Sequence, residues 1–127
     1  MRIIIAALLS AVVLTPLLRA QTPAAATPQP LYAAVFKTGP KWDATKAPGE
    51  QPFFREHSAN LAKLRAAGTI VMGARYDDIG LVVVTAATET DARKLFDADP
   101  SIAAGTFTLA VHRFSVFYPG QVGAPPK

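Results

Sequence analysis

The chain has 127 residues, which is enough for one domain and too few for two domains of ordinary size. Half of the residues are hydrophobic, too many for a disordered protein, and the absence of cysteine excludes disulfides, thiolate metal ligands and a cysteine nucleophile. The net charge of +4 is spread along the chain without a basic run, which argues against a nucleic-acid-binding protein.

The N-terminal segment has the three parts of a secretory signal peptide. Met1 and Arg2 form a short positive start, residues 3–18 are almost entirely apolar, and a small residue, Ala20, precedes Gln21. We predict a signal peptide at residues 1–20, cleaved after Ala20, and a periplasmic or secreted product with no membrane attachment. An uncleaved membrane anchor is the alternative, although the apolar run is short for a span. Cleavage removes two of the 13 basic residues and leaves 11 against 9 acidic ones.

Two proline-containing segments flank the part of the chain that is expected to fold. Residues 21–30 (QTPAAATPQP) have no apolar periodicity and predict a disordered linker. Residues 119–127, with two glycines and three prolines, predict a flexible tail. The folded domain is therefore expected at residues 31–118.

The first half of this domain is predicted to be a strand, a loop and a helix. Residues 31–37 form an apolar run, and a polar loop at residues 38–51 follows it. Pro52 suits the first turn of a helix, and Gly68 lies where its C-terminal cap is expected. Side chains at helical spacing then mark one face of this helix: Phe53, His57, Leu61 and Leu64.

A β-hairpin is predicted next. Residues 69–74 and 80–85 are rich in β-branched side chains, which favour strands. Residues 75–79 (RYDDI) lie between them and indicate a turn.

The domain is predicted to end with a second helix and a long strand. Thr88, with Asp91 three residues later, is typical of a helix N-terminus, and the helix is expected to continue through Ala98. Asp99-Pro100 should end it, because proline disfavours helical geometry in the residue before it. Residues 106–118 then predict the last strand.

The order β-α-β-β-α-β predicts an α+β domain of the ferredoxin-like type, a four-stranded sheet with helices on one face. Both faces of the last strand are apolar: Phe107, Leu109 and Val111 alternate with Ala110, Phe114 and Val116. Since helices cover only one face, we expect the other face to pack on a second copy in a homodimer.

Chain direction in this topology gathers chemically useful residues at one end of the sheet. His57 lies near the start of the first helix, and Asp99 lies at the end of the second helix, so both belong to this end. A carboxylate beside a histidine orients the imidazole, and such a histidine can transfer protons at neutral pH. We therefore expect these two residues to form a catalytic acid–base pair. Nearby loops add three expected substrate-binding residues: Arg75, Tyr76 and Trp42.

A structural role stays open for each of these residues. His57 could be a satisfied core histidine, Asp99 could only close a helix, and Trp42 could only anchor its loop. The other histidine, His112, lies within the last strand, where a structural or interface role is favoured. No ligand spacing for a metal, no phosphate loop, no dinucleotide fingerprint and no nucleophile elbow is present, so neither a metal nor a cofactor is expected.

Three segments of the chain resemble the YCII-related (YciI-like) family. They are the opening strand with its Gly-Pro, EHSANLAKLRAAGTIVMG with His57, and DADPSIAAGTF with Asp99. Together they cover about residues 31–118. The resemblance implies the dimeric α/β-barrel variety of the ferredoxin-like fold, and it implies that the family's His–Asp pair maps onto His57 and Asp99. It also implies proton abstraction of the lyase type as a precedent.

The chain departs from the family pattern in two places. Gly73-Ala74-Arg75 stands where the family carries Gly-Gly-Pro or Ala-Gly-Pro, which puts a cation in place of a proline ring. Arg75 could therefore bind an anionic substrate. The predicted signal peptide is the second departure, because the best-known members look cytoplasmic.

Two functional hypotheses follow from the sequence. The favoured one is a small periplasmic enzyme that uses the His57–Asp99 pair on a small molecule, in a lyase, isomerase or hydrolase type of step. The alternative is a non-catalytic module of the same fold that binds a small ligand or an interaction partner.

Overall fold

The computed structural model describes residues 27–121 and 123. The predicted signal peptide, most of the predicted linker and the last residues of the predicted tail lie outside this part. None of the helices within it is long and apolar enough to cross a membrane. The elements are β1 (Leu31–Thr38), a 3₁₀ helix (Pro48–Glu50), α1 (Phe54–Ala66), β2 (Ile70–Tyr76), β3 (Ile79–Thr85), α2 (Glu89–Lys94), α3 (Pro100–Ala103) and β4 (Phe107–Phe114).

The four strands form one antiparallel sheet in the order β2-β3-β1-β4. Strand β1 lies inside the sheet, between β3 and β4, and its Phe36 lies opposite Gly80 on one side and Leu109 on the other. The edge strand β2 pairs only with β3 and has an irregularity between Ile70 and Met72. The predicted α+β class is confirmed.

The core lies between one face of the sheet and the helices. Alternation along β1 turns Tyr32, Ala34 and Phe36 toward the helices, while Ala33 and Val35 face the other way. Phe96 follows α2 and is 1% exposed, and burying a side chain of this size stabilises the fold by about 1.5–3 kcal/mol. The other buried residues of this cluster are Val82, Val84, Ala86, Ala92 and Val111, with Leu61, Leu64, Leu95 and Ile102 packed against them.

The opposite face of the sheet is also apolar. The helix residues of the core cluster pack on the first face, so this cluster leaves the second face without a helix in the described part of the chain. Ala33 and Val83 of the second face are nevertheless only 7% and 1% exposed. His112, opposite Ala33 in the register, lies on it and is exposed. By strand alternation, the apolar residues of this face include Leu31, Ala33, Val35, Met72, Ala74, Leu81, Val83, Ala110 and Phe114.

Helix α1 begins later than predicted. Pro52 lies outside the helix, and Phe53 precedes its first turn with a left-handed φ of 59°. Because Phe53 does not have helical geometry, it departs from the face formed by the later residues and is 45% exposed. The remaining part of the predicted face is present, since His57 is buried and Leu61 and Leu64 pack against the core.

The second predicted helix is shorter than expected, and a further short helix follows its predicted end. Helix α2 starts as expected: Thr88 Oγ1 accepts a hydrogen bond from the Asp91 N–H at 3.1 Å. It ends at Lys94, and tighter turns follow, in which the Asp99 N–H donates to the Phe96 carbonyl. Asp99 then has extended geometry before Pro100, as expected for a residue preceding proline, and starts the short helix α3.

Strand β4 is shorter than the predicted range of 106–118. Its ladder with β1 ends at the pair Leu31–Phe114. Beyond that point β1 offers no partner, so the ladder cannot continue, and Phe117 and Tyr118 are 84% and 85% exposed. The hairpin turn is also tighter than predicted, since only Asp77 and Asp78 lie outside the strands.

A close backbone contact joins the end of β1 to the segment before β4. The Gly39 N–H donates to the Thr106 carbonyl at 2.8 Å, and the Lys41 N–H donates to the Gly105 carbonyl at 2.9 Å. A Cβ atom added at Gly39 would overlap the Gly105 carbonyl oxygen. Only glycine allows this approach, which holds the loop after β1 against the start of β4.

We predict that Gly39→Ala destabilises the fold. The added methyl group forces two backbone segments apart, and overpacking of this kind costs about 1–3 kcal/mol. Chemical denaturation of both variants measures the effect. Gly49→Ala is the matched control, because nothing lies within 4 Å of a Cβ atom at that position. Equal stability of the two variants would contradict the contact.

Candidate active site

A histidine and an aspartate meet in the core between α1 and α3. His57 lies in the first turn of α1, and its Nδ1 atom is 2.6 Å from Oδ2 of Asp99. The two residues are 42 positions apart in the chain, and they are 7% and 2% exposed. Exclusion of water strengthens this hydrogen bond. The folded state also requires it, because a buried carboxylate without a hydrogen-bond partner would lower the free energy of unfolding.

The second oxygen of Asp99 is held by Ser101. Oδ1 accepts hydrogen bonds from the Ser101 N–H at 3.0 Å and from the Ser101 hydroxyl at 2.6 Å. Asp99 thus caps α3 with one oxygen and faces His57 with the other. Asp99 and Ser101 are both buried, so the Asp99 carboxylate has a fixed orientation toward the imidazole.

The imidazole of His57 is packed between two phenylalanine rings. Phe36 of β1 meets it edge-on at a centroid distance of 4.9 Å, and Phe107 of β4 lies at 4.6 Å. With Nδ1 donating to the carboxylate, Nε2 carries the lone pair of the neutral ring. Nε2 has no hydrogen-bond partner among the described residues and is accessible from the adjoining cavity.

The cavity next to His57 has a volume of about 340 Å³, the size of a small-molecule site. It lies between α1, the inner face of the sheet and the loop after β1. Its charged residues are Arg75 and Asp78, and its side-chain hydroxyls come from Thr38 and Ser58. The apolar lining includes Phe36, Trp42, Phe54, Leu61, Val82 and Phe107.

Two of the three expected substrate-binding residues line this cavity. The Trp42 ring lies 5.4 Å from that of Phe107, and Arg75 lies at the β2 side. Tyr76 does not line it. Arg75 pairs with Gly80 and Tyr76 with Ile79, so strand alternation puts the Tyr76 side chain on the outer face, where it is 54% exposed.

The loop that carries Trp42 is fixed by a buried glutamine that the sequence did not identify. Gln51 Oε1 accepts from the Asp43 N–H at 2.9 Å, and its Nε2 donates to the Asp43 carbonyl at 2.6 Å. The Thr45 hydroxyl donates to the Asp43 carboxylate and lowers its pKa, with a smaller contribution from Lys46. The ionised Asp43 carboxylate therefore stabilises the folded loop at pH values above the ordinary aspartate pKa. This stabilisation is lost as the pH falls through the lowered pKa of Asp43.

Ser101 and Thr106 also support the site and were missed. Thr106 Oγ1 donates to the Pro52 carbonyl at 2.7 Å, which joins the start of β4 to the residues before α1. Thr106 carried no recognisable signal. The run Asp99-Pro100-Ser101 did carry one, since an aspartate followed by proline is typical of a helix start as well as of a helix end.

The arrangement suits proton transfer. Nε2 of His57 can accept a proton from a molecule in the cavity, and the carboxylate of Asp99 stabilises the imidazolium that forms. No cluster of three histidine, aspartate or glutamate side chains suited to a metal ion occurs in residues 27–121 and 123.

We predict that neutral His57 carries its proton on Nδ1. Ring ¹⁵N chemical shifts, recorded at a pH where the imidazole is neutral, measure this directly. In Asp99→Asn the amide oxygen should stay with the Ser101 N–H, so the amide NH₂ group faces Nδ1 and the proton moves to Nε2. Asp97→Asn, two residues away and exposed, is the control and should keep the proton on Nδ1. An Nε2–H tautomer in the unmodified protein would contradict the geometry.

No protein-family model, curated protein or solved structure matches the chain. The resemblance of residues 31–118 to the YCII-related family therefore rests on the sequence segments described above.

Proposed function

We propose that the protein is a small exported enzyme in which His57 and Asp99 act as an acid–base pair on a small molecule. The observation that carries this proposal is the 2.6 Å contact between His57 Nδ1 and Asp99 Oδ2, with Nε2 left accessible from the cavity. The signal-like residues 1–20 support export into the periplasm or medium. N-terminal sequencing of the exported protein, with Gln21 expected first, tests that step.

The proposed chemistry is transfer of a proton within the bound substrate. His57 Nε2 takes a proton from the substrate and returns it to another atom, to a leaving group or to water. Asp99 keeps the ring oriented and stabilises its positive charge without itself being protonated. Lyase and isomerase steps need only this proton movement, and a hydrolytic step adds a water molecule. Positioning and general acid–base catalysis suffice for such reactions without a cofactor.

We further propose a ferredoxin-like topology of the YCII-related type. The strand order β4-β1-β3-β2, with every neighbouring pair antiparallel, supports this assignment. The His57 and Asp99 segments, which carry the resemblance to that family, are also the two segments that build the buried pair.

A non-catalytic ligand-binding or interaction module is the second candidate. The observation in its favour is the small number of reactive groups at the cavity: the lining side chains that titrate or carry charge are His57, Arg75 and Asp78. An aromatic cavity with one cation can bind a ligand without transforming it. In that case the buried pair would serve only to hold α1 on α3.

We expect the protein to exchange an acidic C–H proton of its ligand with solvent. Proton NMR of small carbonyl compounds incubated with the protein in D₂O measures this even when the product is unidentified. His57→Gln and Asp99→Asn should each slow the exchange by about 100-fold or more, because they remove the base or its orientation. Asp97→Asn is the matched control and should keep the rate, since Asp97 is exposed and lies outside the cavity lining. Exchange that survives His57→Gln would contradict the role of His57 as the base, and ligand binding without exchange would favour the non-catalytic module.

We also propose a homodimer formed through the outer face of the sheet. The apolar residues of that face, which no helix in the described part covers, support it. Light scattering at micromolar concentration should give twice the chain mass. Ala110→Glu should yield a monomer, because it puts a charge on this apolar face, whereas Ala103→Glu on the exposed side of α3 should not. A monomeric unmodified protein would contradict this proposal.

A further inference from the structure

We infer that the cavity takes a small compound with a planar ring and one anionic group, such as an aryl carboxylate, and that Arg75 binds the anion. This inference deepens the proposed function and rests on it for the identity of the site. It is carried by three features of the cavity: its aromatic walls, an arginine at its rim and a glycine in its floor.

The walls of the cavity suit a flat, apolar group. Trp42 and Phe54 both lie next to Phe107, at centroid distances of 5.4 Å and 6.1 Å. Both pairs are tilted rather than stacked face to face, and all three rings line the cavity. Offset or edge contacts between two aromatic rings contribute binding free energy in addition to that from burial of apolar surface. A planar ring between these residues would lie beside His57, which touches the same Phe107 at 4.6 Å.

Arg75 supplies a cation at the rim. Its Nε donates to the Asp77 carbonyl at 3.3 Å, which steadies the side chain and leaves the terminal nitrogens with N–H groups to donate. Its cross-strand partner is Gly80, which has no side chain to compete for the space above β3. A guanidinium group can bind a carboxylate through two parallel hydrogen bonds, which a neutral group of the same shape cannot match.

The charge of Arg75 is not neutralised by an ion pair within the described part of the chain. The ion pairs found there are Lys46–Asp43, His57–Asp99 and Lys94–Asp91. Asp78 also lines the cavity but lies in the exposed hairpin turn and makes no ion pair with Arg75. The unpaired guanidinium group therefore favours an anion over a neutral or cationic ligand.

Gly73 leaves open space in the floor of the cavity. It pairs with Val82 in the register, so it lies on the inner face of the sheet, and both residues line the cavity. A Cβ atom added there would meet nothing within 4 Å. A Cβ atom at this position would thus enter open space without overlapping protein atoms, so a side chain here is a way to narrow the site.

Titration with benzoate, benzamide and acetate, followed by NMR chemical-shift changes, tests the inference. Benzoate should bind most tightly, because benzamide lacks the charge and acetate lacks the ring. Arg75→Met should weaken benzoate binding by about 10- to 100-fold, the usual effect of losing a charge-assisted hydrogen bond, and should leave benzamide binding unchanged. Arg93→Met, on the exposed surface of α2, is the matched control and should bind benzoate normally.

The Gly73→Val variant provides a second, independent test of the inference. It should abolish benzoate binding while its circular dichroism and denaturation midpoint stay close to those of the unmodified protein. Gly120→Val, which is equally unobstructed and neither lines the cavity nor adjoins a residue that does, should bind benzoate normally. Equal affinity for benzoate and benzamide, an unaffected Arg75→Met variant, or absence of benzoate binding would each overturn the inference.

These results separate the inference from the proposed chemistry. If benzoate binding requires Arg75 but the protein exchanges no C–H proton of any anionic ring compound, the ligand class stands and the acid–base function fails. If exchange depends on His57 but occurs on neutral compounds regardless of Arg75, the function stands and the ligand class is wrong.

Discussion

The buried carboxylate of Asp99 is the constraint on which the site depends. A carboxylate shielded from water must have its oxygens hydrogen-bonded, and here the partners come from two different parts of the fold. One oxygen holds Ser101 at the start of α3, and the other holds His57 at the start of α1. The two helices are therefore fixed relative to each other at the point where the cavity opens. The orientation of the imidazole is therefore determined by the hydrogen bonds that the buried carboxylate requires for folding.

Chain direction made most of this site predictable from the sequence. Once β-α-β-β-α-β order was assigned, His57 and Asp99 had to lie at the same end, although 42 residues separate them. The placement of Arg75 followed from the hairpin. The orientation of Tyr76 could not be predicted in the same way, because the prediction assigned Tyr76 to a turn. In the structure it belongs to a strand, where successive side chains point to opposite faces of the sheet. Gln51 could not be identified either, since its role depends on loop carbonyls that only the folded chain brings together.

The site also contains a local strain that no sequence pattern predicts. Phe53, immediately before α1, has a left-handed backbone, which costs a non-glycine residue about 1–2 kcal/mol. The residues around it hold this conformation: the Phe53 carbonyl accepts from the His57 N–H, and the preceding Pro52 carbonyl accepts from Thr106. The turn at Phe53 sets the direction in which α1 leaves the loop. It therefore sets the position from which His57 meets Asp99.

The pairing of β1 with β4 has a consequence for the order of events during synthesis. Strand β1 is the first strand to leave the ribosome and β4 is the last, yet β4 forms one of the two ladders of β1. The segment that holds Asp99 also lies just before β4. A nascent chain can thus form α1 and the hairpin early, but it cannot close the sheet or seat His57 until nearly all of the domain has been made. Contacts so distant in the chain slow folding, which gives chaperones a longer interval in which to bind the open chain.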